Sequence, residues 1–249
     1  MKKKIKFHFS VDDVFESLIE ISDSNKRLRD HWFFSYLYEI HKKYNIKIAV
    51  YLFYEQKINN RLRNLTQVKN IKKHLSENWL YFGAHALNYN NPPHKLSLQL
   101  QKRHMNQIYK EIIRFAGKKY LARKVRLHEY SECYELKNEL KKYKVESLFA
   151  TDRKTATYRM LNQNRRELLD RGYTTFKGMN FIRTDFRVEN MITKSKDINI
   201  KKIKNVMKNK NFLTIYTHEY ELKKKICRNN FLNTLNNLIK IYNFESILP

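Results

Sequence analysis

Short runs rich in β-branched and aromatic residues alternate along the chain with longer stretches of helical spacing, and this alternation limits the fold more than any other feature. The β-type runs cover residues 5–11, 46–53, 79–82, 124–127, 146–150, 174–177, 180–183 and 212–217. Between them, spacing predicts helices over about 30–44, 65–77, 95–116, 133–142, 163–171, 200–208 and 225–243. Ile46-Lys47-Ile48-Ala49-Val50-Tyr51-Leu52-Phe53 reads as a buried strand, and Gly172 is placed to cap the helix that ends at 171. Such β-α order implies a mainly parallel sheet, either a barrel or a doubly wound sheet. No Gly/Ser/Pro-rich linker interrupts it, so residues 1–249 are read as one domain, with 42% apolar residues available for its core.

Charge narrows the function less than it first suggests. The net charge of +27 fits an anionic partner such as nucleic acid, an acidic polysaccharide or an anionic lipid surface. The Lys residues are spread along the chain, however, and high Lys, Asn and Ile with low Ala and Gly also fits a compositional bias. Cys133 and Cys227 have no CxxC spacing, which excludes a cysteine-based zinc site and suits reduced thiols. Two carboxylates interrupt the N-terminal run too early for a signal-peptide core, and the longest apolar run, 48–53, is too short to span a bilayer. A cytoplasmic protein with no transmembrane segment is expected. Neither GxGxxG nor GxxxxGK[ST] occurs, so no nucleotide-binding loop is expected.

Chemically capable residues cluster after the β-type runs. Asp12 and Asp13 follow the first, and His85 follows the run at 79–82. Arg126 lies within the run at 124–127, and His128, Glu129 and Tyr130 follow it. Asp152 follows 146–150, and His218 with Glu219 follows 212–217. In parallel α/β folds the C-terminal strand ends share one edge, so five groups remote in sequence would converge on one mouth. Adjacent carboxylates can divide labour between metal binding and general-base work, although Asp12 or Asp13 alone could equally cap the next helix. A His delivered by an apolar strand suits a general acid if a carboxylate keeps it protonated, and Asp152 is a candidate partner for His218.

The order of these motifs resembles the polysaccharide deacetylases with NodB homology. Phe9-Ser10-Val11-Asp12-Asp13-Val14 is similar to their T-F-D-D-G motif, Gly83-Ala84-His85 to the start of H-[ST]-x-x-H, and Thr214-Ile215-Tyr216-Thr217-His218-Glu219 to their last motif. The resemblance spans about residues 5–220 and is strongest to the divergent branch found with surface-polysaccharide or O-antigen synthesis. It implies a distorted, seven-stranded, TIM-like (β/α) barrel and a divalent metal, often zinc. It implies a hydrolase that removes acetyl groups from N-acetylated sugars of a surface polysaccharide or its precursor. Asp12 would be the general base, Asp13 and His85 metal ligands, Arg126 the residue that orients the base, His218 the general acid and Asp152 the group that tunes it. The Lys- and Tyr-rich surface would suit an anionic glycan.

The departures define what the structure must answer. Tyr89 stands where the second His of H-[ST]-x-x-H is expected, and a phenol is a poor zinc ligand at neutral pH. The metal would then need a third ligand, for which His128 or His8 is available. Val14 replaces the motif's Gly, and His128 stands where Pro is frequent. Two other readings remain open: a catalytically degenerate glycan-binding relative, and a nucleic-acid-binding protein or nuclease drawn by charge.

Overall fold

The computed structural model describes residues 2–151, 160–191, 196–208, 210–247 and 249. Its strands are β1 (Lys3–Val14), β2 (Ile48–Phe53), β3 (Glu55–Ile58), β4 (Arg61–Asn64), β5 (Leu80–Ala86), β6 (Lys124–Val125), β7 (Ser147–Ala150), β8 (Tyr173–Phe176), β9 (Met179–Arg183), β10 (Phe186–Arg187), β11 (Phe212–His218) and β12 (Tyr242–Ser246). The helices are α1 (Glu16–Ser24), α2 (Trp32–Tyr44), α3 (Leu98–Phe115), α4 (Lys137–Lys142), α5 (Asn162–Arg171), α6 (Lys196–Val206), α7 (Glu219–Leu222) and α8 (Lys225–Ile241).

Every residue of β2 is buried, as expected of a parallel strand covered on both faces. It pairs in parallel with β1 on one side and β5 on the other, within the order β10-β11-β1-β2-β5; β12 also pairs with β1. A second sheet runs β6-β7-β9-β8, with only β8 antiparallel. The two sheets meet at two seams. At one, the Ala122 N–H donates to the Phe82 carbonyl at 2.8 Å and the Tyr51 hydroxyl donates to the Lys124 carbonyl at 2.7 Å. At the other, the chain passes from β9 through Thr184 and Asp185 into β10, which pairs with β11. There the Asp185 carboxylate accepts from the Thr214 N–H at 2.9 Å, replacing a ladder bond with a side-chain one. Counting β9 and β10 as one bent stave, seven parallel staves surround a buried interior, a distorted (β/α) barrel whose pairing is interrupted at both seams.

Close packing sets the narrow side of the barrel. A Cβ on Gly83 would lie 3.0 Å from the Tyr51 ring and 3.1 Å from Val125, so only glycine lets these staves approach. With few glycines elsewhere, asparagine supplies left-handed backbone. Asn25 and Asn45 end α1 and α2 with φ of 56° and 52°, and Asn59-Asn60 (50° and 61°) turn the β3–β4 hairpin. Gly172 caps α5 as expected, with φ 82°.

Some expected elements differ. Residues 65–77 form two isolated 3-10 turns, Leu65–Gln67 and Lys72–His74, although Leu65, Val68, Ile71 and Leu75 are buried at helix-like intervals. The Arg114 guanidinium takes the carbonyls of Leu65, Thr66 and Val68, removing acceptors that a continuous helix would use. The helix expected over 133–142 begins only at Lys137, and the last helix stops at Ile241 where β12 begins. The strand expected over 79–82 runs on to Ala86, which places His85 inside it. Helix α1 and the β3–β4 hairpin carried no recognised signal. Cys133 and Cys227 are both buried free thiols. Among the described residues, no helix is long and apolar enough to cross a membrane.

Candidate active site

The period of two along β1 aligns Lys6, His8, Ser10 and Asp12 on one face, so a regular strand would turn Asp13 away from Asp12. The strand is not regular. Its register against β2 shifts between Val11 and Val14, and Asp13 adopts φ 60°. This bulge brings both carboxylates to one cavity of about 380 Å³, inside the strand rather than after it. A left-handed aspartate costs about 1–3 kcal/mol, a strain typical of functional sites. Two more residues at the cavity, Glu129 (φ 52°) and Tyr130 (φ 53°), share that strain.

Arg126, just past β6, is 1% exposed and spans the interior. Its Nη1 donates to Asp12 Oδ1 at 2.9 Å and to Ser10 Oγ at 2.8 Å, and its Nη2 to Thr184 Oγ1 at 3.3 Å. The guanidinium also lies 4.1 Å from the Tyr216 ring centre. Asp12 is thus ionically paired and held in one orientation beneath the mouth.

Asp13, His85 and His128 form a second cluster, with ligand atoms all within 4.8 Å of one another. His85 Nδ1 lies 2.7 Å from the Arg126 carbonyl, and His128 Nε2 lies 3.0 Å from the Tyr89 carbonyl. A neutral imidazole has one proton, and in each case a main-chain oxygen claims it. The other nitrogens, His85 Nε2 and His128 Nδ1, therefore present lone pairs 3.2 Å apart, facing Asp13 Oδ1 at 3.0 and 3.8 Å. That oxygen is buried without a donor. Three bare acceptors converging on one point, two of them oriented by outer hydrogen bonds, suit a divalent cation. Burial and the adjacent His85 push the His128 imidazole down to about 4, so it stays neutral at neutral pH. Burial opposes ionisation of Asp13, but the adjacent His85 imidazole and the positive charge of His218 outweigh it and hold the carboxyl below its usual range.

The gap at Tyr89 is filled in this way. Its side chain is 66% exposed, while its carbonyl orients His128. His8 is not in the cluster; it sits deeper in the interior, 3.3 Å from the Tyr51 hydroxyl and against the Phe149 ring. His94 bonds Ser131 Oγ at 2.9 Å and also stands apart from the trio.

His218 ends β11 in register with Asp12. Its Nδ1 contacts Glu189 Oε1 at 2.5 Å, and Glu189 Oε2 accepts from Thr217 Oγ1 at 3.0 Å. Burial would lower the His218 pKa, but the Glu189 hydrogen bond and the charges of Asp12, Asp13 and Glu189 raise it above the ordinary value. Sequence reasoning assigned this partnership to Asp152, which lies outside the described residues. Glu189 carried no signal because it sits in a short 3-10 turn, Val188–Met191, six residues past the run read at 180–183 rather than directly at its end. Glu219 was also undervalued. Its buried carboxylate accepts from the N–H groups of Phe15, Glu16 and Ser17 at 2.9, 3.1 and 2.7 Å, tying the start of α1, three residues past Asp13, to the end of β11.

A groove of about 570 Å³ adjoins the cavity and shares Asp13, Tyr89 and Tyr220 with it. Tyr220, 50% exposed, stacks on His218 with ring centres 5.1 Å apart. Together the two concavities are lined by six carboxylates (Asp12, Asp13, Glu16, Glu55, Glu129 and Glu219) and three cations (Lys57, Arg126 and Arg187). The mouth is therefore acid-rich in a chain whose net charge is +27.

No protein-family model matches the chain, and neither does any curated protein. Solved structures do. A peptidoglycan N-acetylglucosamine deacetylase, Bc1960, superposes with a TM-score of 0.54 at 13% identity, over 99% of this chain and 88% of that one. A CE4 family pseudoenzyme from Bacillus anthracis gives 0.53 at 11% identity, over 99% of this chain and 65% of its own. The fold is that of the CE4 polysaccharide deacetylases. A 4-α-glucanotransferase from Thermococcus litoralis also superposes, with a TM-score of 0.58 at 15% identity over 98% of this chain, which spans 39% of that enzyme's length. Among the CE4 structures is also a mutant of the pseudoenzyme described as having restored enzymatic activity, so the deacetylase fold houses both active and inactive members.

Proposed function

We propose that the protein is a divalent-metal-dependent deacetylase acting on an N-acetylated sugar of a surface polysaccharide or its precursor. The observation that carries this reading is the convergence of Asp13, His85 and His128 beside an Arg126-held Asp12 and a Glu189-held His218. Asp13, His85 and His128 would hold the ion, with zinc favoured by two imidazoles and one carboxylate. When bound, the ion would polarise the acetyl carbonyl and the attacking water.

The chain's own groups supply the proton traffic. Asp12, fixed by Arg126, takes a proton from water as it adds to the acetyl carbon. His218, kept protonated by Glu189, gives a proton to the sugar nitrogen as the C–N bond breaks. The products are acetate and a free amine. Tyr89 and Tyr220 flank the mouth and can stack on sugar faces. The pseudoenzyme relatives make a non-catalytic glycan binder the alternative; His128, replacing the ligand lost at Tyr89, favours the active reading.

The test is acetate release from N-acetylglucosamine oligomers by zinc-loaded protein, with and without chelator. Stoichiometric zinc and no acetate from any N-acetylated oligomer would sink the deacetylase reading and leave the glycan-binding one.

A further inference from the structure

His85 and His128 leave different strands, β5 and β6, yet both must face one point. His128 heads a strained turn, because the two residues after it, Glu129 and Tyr130, are both left-handed, with φ of 52° and 53°. Its ring is aimed by a carbonyl from the other loop, that of Tyr89 at 3.0 Å. The aim is therefore only as good as the spacing between the loop after β5 and the loop after β6.

Ser131, which is buried, closes that turn. Its N–H and its hydroxyl both donate to the His128 carbonyl, at 3.1 and 2.6 Å. A hydroxyl has one proton, so its oxygen is left to accept. His94 meets that oxygen twice, through its main-chain N–H at 3.2 Å and its Nδ1 at 2.9 Å, and must therefore carry a proton on Nδ1. The loop from Tyr89 to His94 is braced internally. Asn88 Oδ1 accepts from the Asn90 N–H at 3.1 Å and from Asn91 Nδ2 at 2.7 Å, and Pro92 and Pro93 fix φ at the entry to the 3-10 turn Pro93–Lys95. Two points on one stiff loop, the Tyr89 carbonyl and His94, thus grip two points on the other, the His128 ring and Ser131. A further link, Lys95 to Glu129 at 3.3 Å, is exposed to solvent, where such pairs contribute little.

We infer that His94 and Ser131 are positioning residues for the metal site: they hold the His128 main chain where the Tyr89 carbonyl claims the Nε2 proton, which leaves Nδ1 bare toward Asp13 and His85. The inference rests on the metal-site reading proposed above, but the choice of proton on His128 is a property of the metal-free protein and is measured separately.

Two readouts on the full chain test it. Long-range proton–nitrogen NMR of histidine-labelled, metal-free protein at neutral pH reads the His128 tautomer: Nε2–H is expected in the wild type, and a mixture with Nδ1–H in Ser131→Ala and His94→Ala. Competition titration with zinc should show binding about tenfold or more weaker in each. The double variant should lose no more than the worse single one, because both act through one hydroxyl. His94→Asn, which can return a side-chain N–H to Ser131 Oγ, should restore both readouts, and Lys95→Ala should leave both unchanged. His94 is only half-buried, so its variants carry the test even where Ser131→Ala does not fold. A wild-type tautomer and wild-type zinc affinity in the alanine variants, additive losses in the double variant, or a loss in Lys95→Ala equal to that in His94→Ala would each overturn the proposal alone. A wild type with the expected tautomer that takes up no zinc would instead sink the metal-site reading, and the positioning role with it.

Discussion

His218 Nδ1 lies 2.5 Å from Glu189 Oε1, a contact between residues 29 positions apart that joins the end of β11 to a 3-10 turn. It leaves Nε2 as the nitrogen available to a substrate and favours the imidazolium. The sign follows directly. Because the folded pKa is raised, His218 stays protonated above its ordinary value of about 6.5, and its acid form is lost only as pH rises through the raised value. The stability gained from protonation in the fold is likewise fully present below 6.5 and fades over that same window. Glu189→Gln should move the alkaline limb of the kcat/KM profile to lower pH and reduce kcat, whereas His218→Asn should cost about 10²–10⁴-fold at all pH values. A pH–rate series on the three proteins checks this; an unmoved limb in Glu189→Gln would remove Glu189 from the acid's support.

The metal trio makes a sharper distinction between two neighbouring residues. His128→Ala removes a ligand and should weaken zinc binding by about 100-fold or more, beyond the usual cost of losing an outer-shell partner. Tyr89→Phe should change zinc affinity little, because Tyr89 meets His128 through its carbonyl. Competition titration with a chromophoric chelator reads both. An equal loss in Tyr89→Phe would mean that the Tyr89 hydroxyl serves the ion as His128 does.

Arg126 is expected to matter for folding as well as for chemistry. Arg126→Leu strands the buried Asp12 carboxylate and should lower stability by about 3–5 kcal/mol. Arg126→Lys keeps the charge but cannot reach Asp12, Ser10 and Thr184 together, so an intermediate loss is expected. Urea unfolding of both variants tests the order.

The Glu219 clamp predicts a coupled loss. Glu219→Ala frees three N–H groups at the buried start of α1 and should cost about 3 kcal/mol or more. Because α1 begins three residues after Asp13, zinc affinity should fall in the same variant even though Glu219 is not a ligand. Unfolding combined with zinc titration reads both effects; lost stability with unchanged zinc affinity would confine Glu219 to a structural role.

Local patterning carried the strands, the parallel order and the presence of Asp12, Asp13, His85, Arg126 and His218 along one edge. That much is legible because period and burial are properties of neighbours in sequence: the unbroken apolar stretch Ile48–Phe53 can only be a strand covered on both faces. What the tertiary structure decided depends on contacts between distant residues. The β1 bulge that turns Asp13 toward Asp12 is a mismatch against β2, and nothing within Val11–Val14 announces it. His128 becomes the third acceptor only because the carbonyl of Tyr89, 39 positions away, claims its Nε2 proton. Glu189 reaches His218, and Glu219 reaches α1 across more than 200 positions, for the same reason. The sequence by itself determined most strands of the barrel wall and which reactive residues they carry. The packing of those strands determined where each side chain points and which proton each one holds, because both depend on partners that only the closed fold brings within hydrogen-bonding distance.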